Sequence, residues 1–348
     1  MKSHRVFALF SLLTAGLFTL AGYLSWQWES KLVIYPVGRD LPRFQAAEDD
    51  EEEEGDEEAA YEEAPRQNRE EKGTAQRIRH ENGILEARYN FLNFNKDKLT
   101  ISFTMTDRDY GSYLTGYGYS DTELSNLNKW QNATRQKEWA KALKKGSKAD
   151  GNKALAAVDW EYDVRLKELF RSRGFTLQPG NMVVCDIPGV VKSNLPFLKP
   201  LALAFQKIST DKEYGPEETV GAVLSMVQTA IRYKIPPMME GGRHTGGLLP
   251  PARALLNGWG DCDTKTALAA SILGNWSGMR LVGVAVPGHY LMAIRRIPAK
   301  GDTFVNYNGL EYVLIEPAGP AWLEPGTVGR NTAALLQGAE GYKIEPFF

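Results

Sequence analysis

The chain has 348 residues, of which 43% are apolar and 11% aromatic, so it is long enough to bury a sizeable core. Its formal net charge of −2 conceals an acidic block at 48–63 that contains no Lys or Arg. No compact basic motif with interleaved aromatic residues occurs, which argues against nucleic-acid binding. With two cysteines and four histidines, the chain lacks a disulfide framework and closely spaced zinc ligands, so we expect no cofactor and no metal.

The N-terminus carries an uncharged apolar run at 6–24, which follows a basic start. As a helix, this run would extend about 28 Å, close to the thickness of a bilayer core. Trp26 and Trp28 follow it, where interfacial aromatic residues are expected. We therefore predict a single transmembrane anchor at 1–28 in the cytoplasmic (inner) membrane, with the remainder exported to the periplasmic side. The alternative is a cleaved signal peptide, although no small-x-small site follows the run.

Residues 29–80 are predicted to form a disordered acidic linker. The stretch 45–79 has too few apolar residues to bury, and its like charges repel one another. The alternative is that the acidic block docks on a basic face of the following domain.

Residues 81–190 are predicted to form a β-hairpin and helical region. Apolar residues alternate with polar ones at 85–91 and again at 99–105, a period that predicts two strands of a hairpin. The Gly- and Tyr-rich stretch 110–119 is interpreted as a packed turn region, with a binding loop as the alternative. A stripe at 158–169 has helical spacing.

Residues 191–348 are predicted to form the catalytic domain. Apolar spacing at 220–231 indicates a helix, which follows a Gly-Pro-Glu-Glu start signal. A loop rich in Gly and Pro should occupy 236–251. Three strands are predicted beyond it, at 281–286, 289–294 and 312–316.

Cys262 lies in the most informative segment, Asn-Gly-Trp-Gly-Asp-Cys-Asp-Thr-Lys-Thr at 257–266. Asp261 is a good helix N-cap, so Cys262 should fall in the first turn of the helix that follows. Unpaired N–H groups at a helix start favour a thiolate and bind an oxyanion, and a nucleophilic cysteine needs both. The alternative is a small cysteine that packs the helix on a sheet, but the polar surroundings argue against it.

A thiol nucleophile needs a base, and the base needs a group that orients it. His289 opens one predicted strand and Glu316 closes another. If these strands pair antiparallel, the start of one lies beside the end of the other. We therefore predict that Cys262, His289 and Glu316 act as nucleophile, base and orienting acid.

Weaker candidates surround this trio. Gln228 and Tyr233, assigned to the preceding helix, and Trp259 beside the nucleophile are predicted as oxyanion or substrate residues. His244 lies in a Gly-rich loop, where a surface histidine is the ordinary interpretation. Cys185 lies in an apolar run and should be buried. A disulfide between Cys185 and Cys262 is the less favoured alternative, because two such thiols rarely meet the required geometry.

Three segments resemble the signatures of bacterial transglutaminase-like cysteine peptidases: Gly-Asp-Cys-Asp-Thr-Lys-Thr, Pro-Gly-His-Tyr and Ile-Glu-Pro-Ala. The resemblance covers roughly residues 220–325. It implies an α+β, papain-like or transglutaminase-like core, in which the nucleophile helix packs on an antiparallel sheet that carries the base and the acid. The family mostly has Asp where this chain has Glu316. The fallback candidates for the acid are Asn306, Asn308 and Glu311.

Together these features predict a membrane-anchored, exported thiol enzyme that forms an acyl-enzyme on Cys262. It would act on amide or ester carbonyls as a peptidase or amidase, or as an acyltransferase. The expected partner is a peptide or protein substrate in the cell envelope, and the membrane itself is engaged through the N-terminal helix. The alternative is a catalytically inactive scaffold or binding module with the same fold.

Overall fold

The computed structural model describes residues 74–145 and 148–348. The anchor predicted at 1–28 and most of the linker predicted at 29–80 lie outside the described residues. Within 74–145 and 148–348, no helix is both long and apolar enough to cross a membrane. This part of the protein is α+β, with helices packed on mainly antiparallel sheets.

The described chain begins with a three-stranded antiparallel sheet: β1 (Ala75–Glu81), β2 (Ile84–Leu92) and β3 (Lys98–Thr106). The predicted hairpin is thereby confirmed as β2–β3. The predicted linker is wrong over residues 75–80, because these form β1. Backbone pairing with β2, from Ala75 opposite Asn90 onward, forms the strand although it buries little of its own surface.

Three helices follow the sheet: α1 (Asp107–Thr115), α2 (Asp121–Lys145) and α3 (Lys148–Ser172). The turn region predicted at 110–119 is wrong in its first half, which belongs to α1. Thr106 caps this helix, since its hydroxyl accepts a hydrogen bond from the amide of Asp109 at 3.1 Å. The helical stripe predicted at 158–169 is confirmed as part of α3. A short hairpin, β4 (Phe175–Gln178) and β5 (Met182–Cys185), completes this region.

Four further helices build the centre: α4 (Ile187–Asp211), α5 (Pro216–Thr229), α6 (Pro251–Asn257) and α7 (Cys262–Leu273). Short strands lie between α5 and α7: β6 (Arg232–Tyr233), β7 (Met239–Glu240), β8 (Arg243–His244) and β9 (Trp259–Gly260). The predicted boundary between 190 and 191 falls inside α4. The three-stranded sheet and these helices share one cluster of buried side chains, so the boundary does not separate two cores. Tyr89 on β2, for example, donates its hydroxyl proton to the carbonyl of Leu255 on α6.

The second sheet is antiparallel and has five strands in the order β12-β13-β11-β10-β14. Its strands are β10 (Leu281–Val286), β11 (His289–Arg295), β12 (Phe304–Tyr307), β13 (Leu310–Ile315) and β14 (Lys343–Pro346), and α8 (Arg330–Gln337) follows β13 in the chain. The strands predicted at 281–286, 289–294 and 312–316 are confirmed to within a few residues. One face joins the central core through Tyr290, Met292 and Ile315, and the other packs a second cluster that includes Leu335 and Leu336 of α8.

Candidate active site

Cys262 is the first residue of α7, as the sequence predicts. The Asp261 carboxylate caps the helix by accepting a hydrogen bond from the Thr264 amide at 3.0 Å. The chain reaches this point through Gly258, whose left-handed φ of 73° ends α6. Two short parallel strands, β6 (Arg232–Tyr233) and β9 (Trp259–Gly260), then hold the turn in place.

The first turn of α7 is locked to its surroundings on two sides. The hydroxyl oxygen of Thr264 accepts a hydrogen bond from the Leu249 amide at 3.1 Å. The hydroxyl of Thr266 donates to the carbonyl of Tyr290 at 3.1 Å, which ties the helix to the start of β11. Cys262 therefore lies against the residue that follows His289, and its sulfur hydrogen-bonds with the Tyr290 backbone.

His289 and Glu316 meet as the sequence predicts. The register of β11 and β13 places Met292 opposite Ile315, so the start of β11 lies at the end of β13. His289 Nε2 is 2.7 Å from Glu316 Oε1, and the hydroxyl of Thr332 donates to Glu316 Oε2 at 2.7 Å. His289 is 3% exposed and Glu316 is 4% exposed, so the contacts of Glu316 with His289 and with Thr332 are shielded from water.

The electrostatics of the thiol contradict one expectation. The helix start was expected to favour the thiolate, but burial and the carboxylates of Asp263 and Asp261 raise the pKa of Cys262 well above its usual value. A hydrogen bond with the Tyr290 backbone lowers the pKa without offsetting these effects. Only 6% of the Cys262 surface is exposed, and its thiol donates to Asp263 Oδ1 at 3.5 Å.

His289 is disposed to hold a proton. Burial alone would lower its pKa, but the charge of Glu316 and the hydrogen bond to it, together with Asp263 and Asp261, raise the pKa above 6.5. Burial and the neighbouring Asp263 also raise the pKa of Asp261 to about 7. Both shifts favour the protonated form of the group concerned, the neutral thiol of Cys262 and the imidazolium of His289.

Lys265 is a functional candidate that the sequence did not single out. It has 0% exposure, and its ammonium donates to the carbonyl of Ala318, two residues after Glu316. Burial lowers the pKa of Lys265 to about 7, while Asp261, Cys262 and Glu316 act in the opposite direction. The available signal is a lysine one helical turn after the N-cap, on a helix whose remainder after Thr266 is apolar except for Ser271.

Gln228 does not occupy the role predicted for it. Its side-chain amide donates to the carbonyls of Glu316 at 2.7 Å and Leu323 at 3.0 Å, and its oxygen accepts from the Leu323 amide at 3.0 Å. Both amide protons are thus committed to the backbone, which removes Gln228 as an oxyanion donor. It instead fastens the loop that follows Glu316 to the end of α5.

Tyr233 and Trp259 flank the nucleophile on paired strands. Tyr233 lies in β6, not in the preceding helix as predicted, because α5 ends at Thr229. Tyr233 pairs with Gly260, two residues before Cys262. Lys234 places its ammonium 4.9 Å from the centre of the Trp259 ring, so this edge of the site carries a cation and an aromatic face.

The remaining candidates lie away from the trio. Asn306, Asn308 and Glu311 are exposed at the β12–β13 hairpin, at the opposite end of β13 from Glu316, so the structure corrects them as fallback acids. His244 bonds Asp121 at 2.9 Å and stacks on the Tyr119 ring.

Neither Cys185 nor Cys262 forms a disulfide. Cys185 is only partly buried and donates to the Gly246 carbonyl at 3.4 Å. Within the described ranges, no group of three or more His, Cys, Asp or Glu side chains is arranged to hold a metal ion.

No protein-family model matches the chain, and no curated protein or solved structure is significantly similar to it. The transglutaminase-like family therefore stays a prediction from the three short segments.

Proposed function

We propose that the protein is a thiol enzyme of the transglutaminase-like class, which acts on amide or ester carbonyls through an acyl-enzyme on Cys262. The observation that carries the proposal is the buried His289–Glu316 pair at 2.7 Å. The helix that begins with Cys262 bonds through Thr266 to the carbonyl of Tyr290, the residue after His289. A nucleophile, a base and a group that orients the base are the three parts that such chemistry requires.

The proposed reaction starts once the site has lost one of two protons, that of the Cys262 thiol or that of the His289 imidazolium. His289 uses Nε2 to contact Glu316, so Nδ1 is the ring nitrogen that accepts the thiol proton. The Cys262 sulfur then attacks the carbonyl carbon and forms a C–S bond. The negative charge that develops on the oxygen lies at the start of α7, where the helix dipole and the Cys262 amide stabilise it.

Breakdown of the tetrahedral intermediate breaks the C–N or C–O bond and releases the leaving group. A second attack, by water or an amine, later breaks the C–S bond and frees the Cys262 thiol. The imidazolium of His289 gives its proton to the departing amine or alcohol, and the thioester remains on Cys262. Attack by water yields a carboxylic acid and defines a peptidase or amidase. Attack by an amine yields a new amide and defines an acyltransferase.

The proposed class fits the arrangement of the core. The α7 helix packs on the face of the five-stranded antiparallel sheet that contributes Tyr290 and Met292 to the core. A nucleophile helix on an antiparallel sheet is the papain-like layout that the resemblance implies. The proposal that the domain is exported and acts on envelope peptides or proteins rests on residues 1–28, which lie outside the described residues.

A second candidate function is a non-catalytic binding or scaffold module. Its support is the 6% exposure of Cys262 and the raised pKa of its thiol, since an unreactive structural cysteine has both properties. Under this alternative, Cys262→Ala would leave the cellular role intact.

The decisive experiment compares the two thiols of the full chain. The protein is treated with iodoacetamide between pH 6 and 10, and alkylation of each cysteine is followed by mass spectrometry. Cys185 is the internal reference because it lies outside the trio. We expect alkylation of Cys262 to rise with pH, and His289→Ala to slow it at least tenfold without affecting Cys185. Equal labelling of Cys262 in wild type and His289→Ala would overturn the enzyme proposal.

A further inference from the structure

We propose that Lys265 is a positioning residue of the candidate active site. It would fix the loop that carries Glu316 and supply the positive charge that offsets the acidic groups around Cys262. This inference rests on the proposed function and identifies a fourth side chain on which the thiol chemistry depends.

The burial of Lys265 needs an explanation. Removing an ammonium group from water costs several kcal/mol, even after the protein relaxes around it. An apolar side chain of similar length, such as methionine, would fill the same space without that cost. A lysine with 0% exposure is therefore consistent with a role that the charge or the hydrogen bond performs.

The hydrogen bond of Lys265 acts on the acid loop, residues 316–319. Lys265 on α7 holds the carbonyl of Ala318, and Gln228 on α5 holds the carbonyl of Glu316 at 2.7 Å. These two bonds fix the loop at points two residues apart. Since Lys265 is on the nucleophile helix, its bond also sets the distance between that helix and the loop that presents Glu316 to His289.

The charge of Lys265 acts on the thiol. Asp261 and Asp263 on α7 and Glu316 after β13 bring three carboxyl groups into the buried region around Cys262, and His289 on β11 adds a titratable imidazole. Tyr117 faces Asp261 and Asp263 from the segment between α1 and α2. Lys265 lies one helical turn after Cys262, and with a pKa of about 7 it brings an ammonium group into this region at and below that pH.

The test replaces Lys265 with methionine in the full chain and repeats the alkylation of Cys262 between pH 6 and 10. The Lys265 ammonium is present mainly below about pH 7, so we expect Lys265→Met to slow alkylation about tenfold more at pH 6 than at pH 9. The rate should recover at higher pH. Lys207→Met is the matched control, because Lys207 is exposed and pairs only with Asp211 in the next helical turn; its profile should coincide with wild type.

Lys265→Gln separates the contribution of the hydrogen bond to Ala318 from that of the positive charge. It also serves in place of Lys265→Met if that variant fails to fold. Glutamine keeps a donor for Ala318 but lacks the charge, so the slower alkylation at pH 6 should persist. An unchanged rate at pH 6, or a rate reduced equally at every pH, would overturn the proposal, because a purely structural residue would give one of those results. A wild-type Cys262 that never reacts in a His289-dependent way would instead contradict the proposed function itself.

Discussion

His289 Nε2 lies 2.7 Å from Glu316 Oε1, although the two residues are 27 positions apart in the chain. The antiparallel register of β11 and β13 creates this contact, since it brings the first residue of one strand to the end of the other. The pair is buried, so its electrostatic interaction is screened far less than that of an ion pair on the surface.

Replacement of Glu316 by glutamine should lower the pKa of His289. Glu316 and the aspartates of α7 outweigh the effect of burial in wild type, and the substitution removes the largest of the contributions that raise the pKa. NMR titration of the His289 ring proton measures the change directly. Thr332→Val is the comparison, because it removes only the second contact of Glu316 and keeps the charge. A His289 pKa equal to that of wild type in Glu316→Gln would contradict the pairing.

The same substitution should have a pH-dependent effect on stability. The folded-state pKa of His289 is raised, so the stabilisation from its protonation is fully present below pH 6.5 and is lost as pH rises through the folded-state value. Glu316→Gln should therefore reduce the free energy of unfolding more at pH 6 than at pH 9. Urea denaturation at the two pH values tests this, and an equal loss at both would count against it.

Asp263→Asn should make Cys262 more reactive at neutral pH. The charge of Asp263 and its contact with the thiol both raise the thiol pKa, and asparagine removes the charge while it keeps the volume and an oxygen acceptor. A drop of one pKa unit corresponds to about a tenfold increase in thiolate at pH 7. The midpoint of Cys262 alkylation should accordingly shift to lower pH.

Asp261→Asn is the companion variant for that experiment. Asparagine still caps α7, so the helix should retain its stability while the second acidic neighbour of the thiol is neutralised. We expect a smaller shift in the same direction as Asp263→Asn. A shift to higher pH in either variant would show that these carboxylates do not oppose thiolate formation.

The sequence is sufficient for the parts of the site that depend on local patterns. The Gly-rich turn, the N-cap Asp261 and the short apolar strands that His289 opens and Glu316 closes predict where each residue falls on its element. Because antiparallel pairing is the only further assumption needed, the contact between His289 and Glu316 follows from those positions.

The parts that the sequence does not predict depend on burial by distant segments. The thiol pKa is set by how deeply the α7 start is covered, which no pattern within 257–266 reveals. The commitment of Gln228 to the backbone of Glu316 and Leu323 depends on a loop about 90 residues away. The strand β1 was missed because its pairing with β2, not its own polar composition, makes it a strand.

Gln228→Leu should destabilise the fold and loosen the acid loop. The substitution leaves two carbonyls and one amide without their partners at a site where Gln228 is 1% exposed. Unsatisfied buried groups of this kind typically cost 1–3 kcal/mol each, so we expect a loss of about 2–4 kcal/mol after partial relaxation. Gln337→Ala is the control, since Gln337 is an exposed helical glutamine and its loss should change stability by less than about 0.5 kcal/mol. Equal stability losses in the two variants would contradict the role assigned to Gln228.

Gly319→Ala should disturb the acid loop more than its backbone conformation alone explains. Gly319 has φ of +53°, and a Cβ there would lie 2.4 Å from the carbonyl oxygen of Gln228, a backbone atom that cannot rotate away. Gly309 at the β12–β13 turn has φ of +75° but no atom within 4 Å of its Cβ position. Gly309→Ala should cost only about 1–2 kcal/mol, the usual penalty for a left-handed alanine.

The comparison of these two alanine variants isolates the close contact between the acid loop and α5. Gly319→Ala must move either the loop or the end of α5, so we expect a larger loss of stability than in Gly309→Ala. We also expect slower His289-dependent alkylation of Cys262, because Glu316 is three residues before the clash. Denaturant melts and the alkylation assay measure the two effects separately. If Gly319→Ala matched Gly309→Ala in both measurements, the loop would not need its packing on Gln228 to present Glu316 to His289.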